Sequence, residues 1–119
     1  MLFRVDPGSS VPLGDQIAAS VRGAIADGTV DTGERLPAAR ELAASLGVNV
    51  HTVLRGYQRL KEEGLIELRR GRGAVVIGGA APARARLGET AERLIAEARK
   101  LGLSDEEIVT VVRVGLAGR

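Results

Sequence analysis

Cysteine and tryptophan are absent from these 119 residues, and histidine, methionine, tyrosine and phenylalanine occur once each. Without cysteine there are no disulfides and no thiolate metal sites. With His51 as the single imidazole, most metal sites and most general-base chemistry are excluded too, so neither a catalytic pair nor a metal or cofactor site is expected. Phe3 and Tyr57 are the only aromatic side chains, so the core has to be aliphatic. No apolar run approaches the roughly 18 residues that cross a bilayer. The opening MLFRVDPGSS lacks the apolar centre of a secretory signal. A cytoplasmic location with no membrane partner is the expectation.

What is present suits one ordered domain with a short appendage: 45% of the residues are apolar and 27% charged. The net charge is only +2, but it is unevenly spread. Between Arg35 and Arg72 stand Arg35, Arg40, Arg55, Arg59, Lys61, Arg69, Arg70 and Arg72 against Glu41, Glu62, Glu63 and Glu67. From Met1 to Glu34 acids dominate instead. A basic face on an otherwise balanced chain suits a polyanionic partner.

Apolar periodicity divides the chain. Leu13, Ile17, Val21, Ala24 and Ile25 form one stripe, predicting a first helix over about 12–27 with Pro12 in its first turn and Gly28 as its stop. Residues 28–37 read as a turn-rich connection. Pro37 opens a second helix whose inner face over 38–46 is Leu42, Ala43 and Leu46, and Gly47 ends it. Asn49 is the capping candidate of a third helix with Val50, Val53, Leu54, Tyr57 and Leu60 inward, ended by Gly64. The period then changes. Residues 65–68 and 74–77 read as short strands around the Arg69-Arg70-Gly71-Arg72-Gly73 hairpin. Residues 78–83 read as a small-residue linker, followed by helices over about 84–101 and 105–117, the last one started by Ser104-Asp105-Glu106-Glu107.

The second and third helices with their short turn make a helix-turn-helix over about 39–58, and the hairpin over about 65–77 makes a wing. The outward head of the third helix carries Asn49, His51, Thr52 and Arg55, residue types that read base edges or hold phosphates in the major groove of double-stranded DNA. Arg69, Arg70 and Arg72 at the hairpin suit a flanking backbone or minor groove. The fold class expected is mainly α with a small β-wing. It comprises a winged helix-turn-helix DNA-binding domain over 10–79 and a two-helix dimerisation tail over 84–118.

The strings Gly33-Glu34-Arg35-Leu36-Pro37-Ala38-Ala39-Arg40-Glu41-Leu42-Ala43, Leu46-Gly47-Val48-Asn49, Thr52-Val53, Tyr57-Gln58 and Glu63-Gly64-Leu65-Ile66 resemble the GntR-family winged helix-turn-helix. The wing Arg70-x-Gly-x-Val does so too, and the short tail resembles the YtrA-type branch, whose members are dimeric regulators, often repressors, frequently of transporter operons. The resemblance implies DNA contact by Arg40, by Asn49, His51 and Thr52, and by Arg70 and Gly71. It also implies a palindromic operator bound by a homodimer, with no enzymatic activity. This chain departs from the pattern at Val50 and Leu54, where many relatives carry arginine, and at Gly14 and Gly56; Arg55 can partly substitute for a missing arginine. Within the tail, Leu94, Ile95, Ala98, Leu101, Ile108, Val111, Val112 and Leu116 make more apolar surface than one packed face needs, which suits a two-fold interface. The tail is too short for the larger effector pockets of other branches, so any small-molecule effector is left open. The competing readings are a non-specific architectural DNA binder and a protein-interaction adaptor working through the tail.

Overall fold

The computed structural model describes residues 3–71, 73–77 and 81–118. Five helices and one two-stranded antiparallel sheet follow in the order α1 (Leu13–Ala26), α2 (Ala39–Leu46), α3 (Val50–Glu62), β1 (Ile66–Arg69), β2 (Gly73–Val76), α4 (Ala81–Lys100) and α5 (Asp105–Ala117). By internal packing the chain divides into two compact units, Met1–Glu89 and Thr90–Arg119. The first two turns of α4 therefore belong with the winged domain.

In the first unit, α3 is central and packs against α1, α2 and β1. Ile17, Ala18, Val21 and Ile25 of α1 meet Val53, Tyr57 and Leu60 of α3 in a core closed by Leu36, Leu42, Leu65, Ile66 and Val76. The helices end where local chemistry stops them. Gly47 at φ 69° takes the left-handed conformation that closes α2, where a side chain would be strained. Asn49 starts α3 by accepting the backbone N–H of His51 on Oδ1 at 2.8 Å.

β1 and β2 pair in register Ile66–Val76, Glu67–Val75, Leu68–Ala74 and Arg69–Gly73. The segment expected to be a plain turn-rich connection does more than connect. Gly33 and Leu36 donate backbone N–H groups to the carbonyls of Val76 (2.7 Å) and Ala74 (2.9 Å), and Val76 donates to Glu34 (3.0 Å). Residues 33–36 thus line the free edge of β2, satisfying backbone groups that would otherwise lie unpaired beside the core. The expected linker is also shorter than its composition suggested. Ala81, Pro82 and Ala83 already form the first turn of α4, and Ala81 and Ala85, one turn apart, are buried in the winged-domain core. Residues 78–80 of that stretch lie outside the described residues.

In the second unit, the end of α4 turns through Gly102 into α5. Ser104 caps α5 reciprocally with Glu107: its Oγ accepts the Glu107 N–H at 3.2 Å, while its own N–H donates to Glu107 Oε1 at 3.0 Å. Arg99 adds an ion pair to Asp105.

Candidate nucleic-acid interface

The third helix is amphipathic in a way that sorts its residues. Val53, Gly56, Tyr57 and Leu60 are buried, whereas His51, Leu54, Arg55 and Gln58 are exposed. Tyr57 is buried by α1 and the core, yet its hydroxyl donates to the Pro37 carbonyl at 2.6 Å. This bond ties α3 to the second residue ahead of α2 and so fixes one helix of the pair against the other. Burial of the ring pushes the Tyr57 phenol up to about 12, so it remains a neutral donor.

The basic side chains of the region fall into two groups. Arg22, Arg59 and Arg69 are engaged with carboxylates. Arg22, only 3% exposed, holds Glu63 in a bidentate pair at 2.8 and 2.7 Å. Arg59 reaches both Asp15 (2.9 Å) and Glu63 (3.2 Å), and Arg69 pairs with Glu67 beside it on β1. Arg35, Arg40, His51, Arg55, Lys61 and Arg70 are exposed, and among the described residues they have no acidic partner. Arg40 in particular does not pair with an acid of α3. Gly71, at φ 79°, turns the hairpin beside Arg70, a backbone angle that excludes most side chains.

Two sequence expectations need correction here. Thr52 is not on the open face: it is 8% exposed, and its carbonyl lies 3.1 Å from where a Cβ on Gly14 would stand. Its position one turn before Gly56 puts it on the side of α3 that meets α1. Leu54, expected inward, is 44% exposed and stands on the open face instead. Asn49 is exposed, with its side-chain oxygen committed to capping α3. Arg72 lies outside the described residues.

Sequence reasoning missed the buried Arg22–Glu63 pair, whose members are 41 residues apart. The one available signal was an arginine beside the apolar stripe of α1. In the second unit, Ala98 and Ile108 are buried within the chain itself, so they are not free for a partner as expected. Leu94, Ile95, Leu101, Val111, Val112 and Leu116 are exposed.

With this geometry in place, residues 13–76 match the family model of bacterial regulatory proteins, gntR family. That match covers helix-turn-helix and wing together. The chain belongs to the GntR family. A relative of the YtrA-type branch, the HTH-type transcriptional repressor YtrA of Bacillus subtilis, is 37% identical over 75 residues, covering 63% of this chain and 58% of that protein. The solved structure of YtrA from Sulfolobus acidocaldarius, a GntR-family transcription factor, is 35% identical with a TM-score of 0.63. It covers 81% of this chain and 99% of that one. The DNA-binding domain of AraR in complex with operator ORX1 is 27% identical with a TM-score of 0.54, over 63% of this chain and 92% of that one. These likenesses place this GntR protein in the YtrA-type branch, as a DNA-binding transcription regulator and not an enzyme. No described helix is long and apolar enough to cross a membrane.

Proposed function

We propose that this GntR-family chain is a homodimeric repressor that reads a palindromic operator in double-stranded DNA. The observation carrying the proposal is the sorting of basic side chains. Arg40 on α2, His51 and Arg55 on α3 and Arg70 on the wing are exposed without an acidic partner among the described residues, while Arg22, Arg59 and Arg69 are held by carboxylates. Arg40 and Arg70 neutralise phosphates flanking the site. Asn49, His51 and Arg55 at the head of α3 lie against the major groove, with Gly71 allowing the wing to approach the minor groove. The winged helix-turn-helix over 10–79 supplies the reader, and the helical tail over 84–118 supplies the pairing surface. Repression and operator binding are what the names of the YtrA and AraR relatives describe for those proteins.

Selection of bound sequences from a random duplex pool tests this. A palindrome of two short half-sites, centred about 34 Å apart or one DNA turn, is the expected result. Arg40→Ala with Arg70→Ala then weakens binding to that duplex by tenfold or more and flattens its salt dependence by about two phosphate contacts. Recovery of no motif favours the architectural binder, and an absence of any duplex binding favours the adaptor.

A further inference from the structure

Beside Leu54 the winged domain has a shallow hollow between α3, the start of α2 and the hairpin. Its wall is formed by Pro37, Ala39, Leu54, Tyr57, Leu68 and Ala74, with Arg69 and Arg70 also bordering it. Two large aliphatic side chains there face open space: Leu54 is 44% exposed and Leu68 45%. The one hydroxyl in the wall, on Tyr57, is already spent on the Pro37 carbonyl. Between α3 and α2 the wall therefore offers an incoming base no free side-chain donor, the arginines standing only on its hairpin side. Yet the apolar surface sits on the open face of α3, one turn beyond His51 and next to Arg55, with cations on both sides. A strongly anionic partner is favoured by those cations, and it must present an apolar group to Leu54. In the major groove of duplex DNA one group meets both conditions, the 5-methyl of thymine.

We propose that Leu54 is a specificity-determining residue that recognises a thymine 5-methyl group in each half-site. The inference rests on the reading of α3 as the base-reading helix, and it assigns to that helix a contact made by apolar packing instead of by an arginine fork. A guanine-directed arginine at this position would select a G·C pair through its O6 and N7 acceptors. Leucine here removes that preference and replaces it with one for A·T, read from the thymine side.

Replacing thymine by 2′-deoxyuridine deletes the methyl and leaves the base pair otherwise intact. In the duplex recovered by selection, each thymine is replaced in turn and titrated with the full-length protein at fixed salt. One thymine per half-site is expected to show a loss of about fourfold in Kd, the worth of one buried methyl. In Leu54→Ala the same replacement is expected to change Kd by less than 1.5-fold, while Arg70→Ala keeps the fourfold loss. Because Leu54 is exposed, Leu54→Ala is expected to melt with the parent protein, which circular dichroism checks. A recovered motif in which every deoxyuridine replacement stays within 1.5-fold overturns the inference and leaves the regulator reading standing. So does a methyl penalty that persists in Leu54→Ala. Failure to recover any motif overturns both.

Discussion

Gly14 and Gly56 look in sequence like two weak points, because glycine inside a helix costs about 1 kcal/mol relative to alanine. Their packing reverses that reading. A Cβ on Gly56 would stand 2.7 Å from the Gly14 carbonyl and 3.2 Å from Ile17 Cγ2, so backbone meets backbone where α1 crosses α3. Gly56→Ala is expected to destabilise the protein by about 1–3 kcal/mol despite its better helix propensity, since α1 and α3 must separate around a filled core. Urea unfolding checks this, and a more stable Gly56→Ala would show that the crossing can widen freely. The same crossing explains Thr52, whose backbone faces Gly14 and whose side chain is therefore withdrawn from the open face.

Between elements, the strongest polar connection is the set of charges joining α1 to α3. Arg22 and Asp15 come from α1, Arg59 and Glu63 from α3, and Gly88 of α4 lies against the same pair: its Cβ would stand 2.9 Å from Glu63 Oε1 and 3.0 Å from Arg22 Cδ. Burial works to raise the Glu63 carboxyl, but the bonds and charge of Arg22, with Arg59 adding to them, hold it below its ordinary value of 4.5. The ionised form is thus favoured by folding, and the stability it contributes is present above about pH 4.5 and lost as pH falls through the lower, folded-state value. Thermal melts of the parent protein between pH 7 and pH 3 are expected to decline over that window. Glu63→Gln is expected to start less stable at pH 7, because Arg22 is left buried without its partner charge, and to decline less on acidification. Parallel curves for the two proteins would remove Glu63 from this role.

At the scale of the whole molecule, the tail carries more aliphatic surface than its own packing uses. Ala98 and Ile108 close the turn between α4 and α5, while Val109, Val111, Val112, Val114 and Leu116 of α5 remain exposed along with Leu94 and Ile95 of α4. Of these, Leu94, Ile95, Val109, Val112 and Leu116 line one apolar hollow, and exposed apolar surface of this kind marks an interaction site on a folded protein. In the proposed dimer it is covered by the same surface of a second copy, since a two-fold interface uses one patch twice. Val112→Asp together with Leu116→Asp is expected to shift the protein from dimer to monomer in sedimentation equilibrium. Affinity for a palindromic duplex then falls toward that of one half-site, with the winged domain still folded. An unchanged mass would place the pairing surface elsewhere.

Much of this was legible in the amino-acid order because it is local. Proline at 12 and 37, glycine at 47 and 64, the Asn49 and Ser104 caps and the change of apolar period after Gly64 act within a few residues, so helices, turn and wing follow from them to within about three residues. The lack of cysteine and the single histidine likewise excluded whole classes of chemistry without any fold. Long-range placement was decided only by tertiary structure. The close crossing of α1 and α3 needs Gly14 opposite Gly56, buries Thr52 and leaves Leu54 on the open face. Arg22 finds Glu63 across 41 residues, residues 33–36 join the wing, and the first turn of α4 returns to the winged-domain core. Periodicity states which residues share a side of one helix, but the neighbour that covers part of that side is chosen by packing, and at α3 that choice separates the residues that hold the domain together from those free to meet DNA.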